Sequence, residues 1–240
     1  MALIDFQTVL GRMLREQNRD DHLRGVSLDE REGRYIENLR DTPELRFYAG
    51  VQRSWRIMRA TKAAHLTLSL LKEEERERLV NEWLDSSAGV YSFFHVEADL
   101  FLDFIGRHLS DRLRELTVCQ FERATLRASD GANVFVAPDA TALQSPDSRL
   151  RRGSYAAVVR FEADPLLDPP EPFTDLFSDG VTIMFSPGLP QLWHEPSADE
   201  LDLWDALESP TPVSTLLSHG YSIETLARLL HHGAVEYTHP

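Results

Sequence analysis

Nine histidines, thirty-nine carboxylates and one cysteine are the residues of this chain that could do chemistry, so their spacing is the first test. His231 and His232 are adjacent, which sets them about 100° apart on a helix and keeps them from sharing a metal. With Gly233 behind them, both suit a helix C-terminus, where a protonated imidazole meets the negative end of the dipole. His95, Glu97 and Asp99 alternate, a strand spacing inside a segment of helical pattern. Asp99 and Asp103 share one helical face, an arrangement common on solvated helices. His194-Glu195 follows a strand-like run and could act as an acid–base pair, but no motif beside it supports that. Cys119 sits mid-helix one turn after Leu116, as a small buried hydrophobe would; a nucleophile would need a depressed pKa and a neighbouring base. No HExxH, phosphate-cradling loop, GxGxxG or GxSxG is present. The expectation is no catalytic residue and no metal ligand in this chain.

Charge excludes more than it selects. Residues 1–160 hold 25 acidic and 24 basic side chains, whereas residues 161–240 hold 14 acidic ones and a single base, Arg228. Such a stretch repels phosphate backbones and favours cationic partners. A lone cysteine rules out an intramolecular disulfide. Residues 1–20 lack the pattern of a signal peptide, and no apolar run is long enough to span a bilayer. A soluble cytoplasmic protein is expected, with neither nucleic acid nor membrane as partner.

The elements that must position these groups follow from periodicity. Helices are predicted over 3–17, 28–39, 44–71 with a bend near Thr61, 73–85, 93–108 and 110–128, the last capped by Ser110. A break is expected at Ser86–Gly89. Arg46, Arg53, Arg56 and Arg59 line the polar face of the third helix and are expected to pair with acidic neighbours of the same bundle. Composition changes at Asp130-Gly131. Strands are predicted over 132–137 and 154–162, a turn-rich connection over 138–153, and an ordered proline-rich loop over 164–179. Strands 181–186 and 190–194 flank Pro187-Gly188-Leu189 as a hairpin, with Pro190 confining the second strand to an edge. Ser197 and Glu200 form a capping box for a helix over 198–208. A short helix follows Thr211 and stops at Gly220. Ser222 caps 223–232, Gly233 ends it, and 234–237 returns as a strand. The expected fold is α+β and mostly α: a helical bundle over 1–129, then a small winged-helix-like module over 130–240.

With the helices placed, residues 45–128 resemble the helical domain of a bacterial family long described as DNA-binding, whose members are partners of TIM-barrel, multinuclear iron enzymes. The resemblance is carried by Leu45-Arg46-Phe47-Tyr48 opening a helix and Leu70-Leu71 before Glu73-Glu74. Arg78-Leu79 through Trp83-Leu84, Phe101-Leu102-Asp103-Phe104, and Leu116 with Phe121-Glu122-Arg123-Ala124 follow in the family's order. Ala49-Gly50 stand where asparagines are usual, and the Phe-Pro before the Leu-Leu pair is missing. These departures point to the divergent relatives of methanobactin and 3-thiaglutamate biosynthesis. In those relatives the helical domain docks on an iron enzyme that modifies cysteine in a ribosomally made precursor peptide, and a C-terminal module recognises the leader.

What the resemblance implies here is a non-catalytic partner subunit that binds no cofactor, the iron belonging to the partner enzyme. Its other partner would be the precursor leader, added as a strand beside 190–194, with Leu192, Trp193, Ile223, Leu226, Ala227 and Leu230 as the peptide-binding residues. The alternative is a winged-helix DNA-binding regulator reading with helix 223–232, which offers Arg228 as its one base. A stand-alone enzyme would need a site assembled from distant His, Asp and Glu residues.

Overall fold

The structure, a computed structural model, describes residues 3–15, 25–86, 94–139, 141, 143, 145, 148–162 and 173–238. The chain is α+β and mostly α. It divides into two compact units, Met1–His108 and Leu109–Pro240.

The first unit is helical. Its described elements are α1 (Leu3–Arg15), α2 (Glu30–Arg40), α3 (Pro43–Ala63), α4 (His65–Ser69), α5 (Glu73–Asp85) and α6 (Phe94–His108). Glu16 and Gln17 of the first predicted helix, residues 87–89 of the predicted break and Phe93 lie outside the described residues. Asp29 and Glu32 close a capping box on α2. Thr42 caps α3, with Pro43 in the first turn where its missing N–H costs no hydrogen bond. The expected bend near Thr61 falls at Ala64, which ends α3 and precedes the single turn of α4. Val9, Met13, Ile36 and Leu45 form one core where α1, α2 and α3 meet. Trp83 packs its ring 5.6 Å from both Phe101 and Phe104.

One ion pair crosses this unit below the surface. Arg56 Nε donates to Glu97 Oε1 at 3.0 Å and Arg59 Nη1 to Glu97 Oε2 at 3.3 Å, while Arg56 Nη1 donates to the Leu84 carbonyl at 3.1 Å. Both Arg56 and Glu97 are buried. The arginine stripe of α3 therefore pairs inside its own unit, as expected, with Arg53 reaching Asp85 at 2.9 Å and Arg46 reaching Asp41 at 3.4 Å.

The second unit begins with α7 (Leu113–Ala132). The expected boundary after residue 129 is thus displaced to His108/Leu109, because α7 packs on the sheet that follows it. Phe121 of α7 sets its ring edge-on to Phe161, Phe173 and Phe185 at 5.3–5.9 Å. Ser110 does not cap this helix; Arg112 precedes it without a side-chain cap. The predicted strand 132–137 is absent, since α7 runs on through Ala132 and the Val134 and Phe135 amides turn back to the Gly131 carbonyl.

Two three-stranded antiparallel sheets follow. β1 (Arg149–Arg152) lies between β5 (Thr211–Pro212) and β6 (Val235–Tyr237); β3 (Thr182–Phe185) lies between β2 (Ala157–Arg160) and β4 (Trp193–His194). β1 falls in the stretch expected to be turns. The helix α8 (Thr174–Asp179) falls in the expected loop, whose residues 164–172 lie outside the described ones. The helices α9 (Ala198–Ala206), α10 (Val213–Ser218) and α11 (Ile223–His232) take their expected places. Ser197 and Glu200 form the capping box, Ser222 caps α11, and Gly233 ends it with φ of 74°. The order of hairpin, three helices and strand is present, but the last strand, β6, pairs with β1 rather than with the hairpin. Leu150, Leu203, Trp204, Leu226 and Leu230 lie in the core beneath these helices. No described helix is long and apolar enough to cross a membrane.

Removing one member of a buried ion pair strands the other charge, which costs about 3–5 kcal/mol. Glu97→Ala is expected to lower the stability of the first unit on that scale in urea unfolding. Arg34→Ala, which removes the exposed pair with Glu30, should cost under about 1 kcal/mol; equal losses would remove the special role of Glu97.

Candidate peptide-binding site

The six expected contact residues do not form one surface. Leu226 and Leu230 are fully buried in the core with Leu203 and Trp204, and Ala227 packs against the same core half-buried. They are corrected from groove residues to core residues. The reason is the α11 stripe itself: with one apolar face per helix, that face goes to the core. Ile223 is exposed at the N-terminal turn of α11. Leu192 is half-buried and holds φ of 66°, the one described non-glycine residue with positive φ. It closes the turn before β4, its amide donating to the Leu189 carbonyl at 3.0 Å and its carbonyl accepting from Ser186 at 2.9 Å. Trp193 is exposed on β4, which is an edge strand as expected, though only two residues long.

Next to that edge lies a polar cluster. Glu200 is buried and accepts from the Ser197 amide at 2.8 Å; His194 Nε2 stands 3.5 Å and Arg228 Nε 3.3 Å from its Oε1. Burial alone would raise the Glu200 carboxyl, but the Ser197 amide, Arg228 and His194 together hold it below its ordinary value. The His194 ring lies 6.0 Å from that of His232. Burial, and then the nearby His194 and His231, push the His232 imidazole below its ordinary value. Glu195, the sequence neighbour of His194, is exposed. No group of three or more His, Cys, Asp or Glu side chains able to hold a metal occurs among the described residues.

A groove lies at a second edge. The Gly153 amide donates to the Ala234 carbonyl at 2.8 Å and the Thr238 amide to the Arg149 carbonyl at 3.0 Å. Main-chain bonds alternate along an antiparallel pair. Ala234, Glu236 and Thr238 therefore face β1, and the N–H and C=O groups of Val235 and Tyr237 point away from it. Beside β6 is a groove of about 470 Å³, lined by Val134, Phe135, Val136, Pro138, Tyr155 and Pro187 together with Val235, Glu236 and Tyr237. Val134 and Val136 are exposed, Val136 by 83%. The Phe135 ring anchors this segment against Gly188 and Gly233, where an added Cβ would stand 2.6 Å from it. Glu236 faces Arg151 at 2.7 Å and accepts from the Ser154 amide and hydroxyl at 3.1 and 2.8 Å. Burial would raise its carboxyl; the Ser154 donors and Arg151 outweigh that and keep it low. The groove thus offers apolar walls, one neutralised ion pair and a strand edge of which Tyr237 is half-buried and Val235 buried.

None of the groove residues is among the six expected ones. Leu150 between Arg149 and Arg151 carries the alternation of β1, and the Val134-Phe135-Val136 run was visible as apolar and extended, but only the chain's return through β6 sets them side by side. Models of known protein families and curated protein sequences yield no match to this chain.

A histidine whose folded value lies below its unfolded one binds protons more readily when unfolded. Its contribution to stability is complete above the ordinary value of 6.5 and lost as pH falls through that region. His232→Asn should therefore lose less stability than the parent chain between about pH 7.5 and 5.5 in urea titrations. Parallel stability–pH curves would show that His232 does not titrate in that window.

Proposed function

We propose that this chain is a non-catalytic, peptide-binding partner subunit. In this reading it holds the leader of a ribosomally made precursor as an added strand and presents the precursor to a TIM-barrel multinuclear iron enzyme that modifies cysteine. The observation that carries the peptide-binding half is the edge of β6 beside its groove. Tyr237, half-buried, offers one donor and one acceptor to an extended segment whose alternate side chains would meet Val134, Val136 and Tyr155, while Val235 is buried and would have to be uncovered to pair. Main-chain bonds of this kind supply about 0.5–1.5 kcal/mol each, so the apolar walls must add the rest. The β4 edge around Trp193 is the second place where a strand could add, but it presents only two residues.

The enzyme half rests on the resemblance of residues 45–128, and with it the cytoplasmic setting, the iron held by the partner and the winged-helix character of the C-terminal module. The acidic balance of residues 161–240 suits a leader with cationic flanks. DNA binding is disfavoured by the same balance, and Arg228, its one candidate contact on α11, is engaged by Glu200.

Co-expression of the chain with an iron enzyme of this class and its precursor peptide tests the reading. Cysteine modification, read as a mass shift of the peptide, should require the chain. Val136→Asp, at an exposed groove wall, should weaken peptide binding about tenfold or more by calorimetry, as charge placed at an apolar contact does. Tyr237→Pro should do the same by removing an outward N–H. Trp193→Ala should leave affinity within about threefold. If Trp193→Ala abolishes binding and Val136→Asp does not, the leader belongs on β4; modification without the chain overturns the proposal.

A further inference from the structure

Helix α3 carries a second apolar face whose large side chains stand exposed. At 100° per residue, Glu44, Tyr48, Val51, Trp55, Met58 and Lys62 fall within an arc of about 80°. The buried residues Leu45, Arg56 and Ala60 lie on the other side of the helix. Tyr48 is 60%, Trp55 53% and Met58 50% exposed, and Val51 is half-buried between them. Phe47, also exposed, flanks the stripe with its ring 5.8 Å from Tyr48. An apolar run of this extent on one helix marks a protein contact.

The pattern specifies which contact. The six positions step by 4, 3, 4, 3 and 4 residues, the a/d spacing of a helix-pairing seam. That series reads the same in both directions about Arg53. Two copies of α3 packed antiparallel across a two-fold axis at residue 53 therefore superpose the stripe on itself. Tyr48 then faces Met58 of the second copy, Val51 faces Trp55, and Glu44 faces Lys62. Each layer matches unlike partners: an aromatic ring with a thioether, a small β-branched residue with an indole, an acid with a base. A parallel pairing would instead set Glu44 on Glu44 and Lys62 on Lys62. We propose that this protein forms a symmetric homodimer through antiparallel pairing of α3 with α3.

The helix is already folded by its own unit, so pairing need not supply the cost of forming it. Half of each ring's 150–250 Å², with Val51, Met58 and Phe47, gives roughly 500 Å² per copy and about 1,000 Å² in all. An interface of this size belongs with weak, reversible associations, and a micromolar dissociation constant is the expected outcome. The dimer stands apart from the peptide reading, since α3 contributes nothing to the β6 groove.

Sedimentation equilibrium of the full chain tests it. The wild-type protein should pass from monomer to dimer over micromolar concentrations, and Trp55→Glu should remain monomeric to about 100 µM. Glu44→Lys alone and Lys62→Glu alone place like charges together twice per dimer and should each weaken association about tenfold. The Glu44→Lys/Lys62→Glu double variant restores both pairs only in the antiparallel register and should return within about threefold of wild type. These positions are exposed, and an unchanged helical circular dichroism spectrum establishes that each variant folds. A wild-type chain monomeric at about 100 µM overturns the proposal, as does a double variant no better than either single one. Burial of Trp55 only on addition of a different protein would assign the face to that partner and overturn it equally.

Discussion

A carboxylate cannot leave water without a partner, and each unit of this protein is closed around one that has done so. In the first unit Glu97 of α6 is held by Arg56 and Arg59 of α3, and Arg56 also satisfies the end of α5 through the Leu84 carbonyl. Three helices are thereby fixed in register by one buried charge. In the second unit Glu200 caps α9 and at the same time meets His194 of β4 and Arg228 of α11. Apolar packing would tolerate sliding of these helices; a buried ion pair does not, because misplacing either group leaves it desolvated and unpaired.

The same economy of partners shapes the charge distribution. The C-terminal stretch is strongly acidic as a sequence, yet Arg151, Arg152 and Arg160 come from upstream to Glu236 and Asp205. Arg152 also lies over the Trp204 ring at 5.0 Å and donates to the Trp204 carbonyl. Folding thus neutralises part of the excess at the sheet β5-β1-β6 and leaves the rest at the surface. The Glu236–Arg151 pair at the edge of the groove belongs to this set. It gives the groove a polar boundary without a net charge that an incoming segment would have to match.

Both sheets are short, and short sheets have edges. Each of them ends in a strand of two or three residues, and an unpaired edge must be covered, blunted or used. At β4 the edge is nearly too short to template anything. At β6 it faces a cavity walled by a segment that runs alongside without pairing. That difference, more than the identity of any side chain, separates the two candidate places for an added strand. The open face of α3 poses the same question for helices: its large apolar side chains stand exposed.

Local order was written in the sequence at several helix ends, although Ser110 does not cap α7. Ser197 with Glu200, Ser222 and Gly233 set helix ends through hydrogen bonds and a left-handed turn that depend only on neighbours within a few positions. The arginine stripe of α3 likewise announced local pairing. What the sequence could not determine is which of two plausible partners an apolar residue takes. Leu226 and Leu230 share the spacing of a binding face and of a core face, and burial chose the core. Val134 and Val136 have the composition of a strand, but α7 extends past Asp130 and leaves them unpaired beside a groove. Helix α7 reads as the last member of a bundle until Phe121 meets Phe161, Phe173 and Phe185. Caps and turns are decided within a few residues of chain, whereas edges, grooves and the assignment of a helix to a unit are decided by contacts far apart in sequence, and those exist only once the chain has folded.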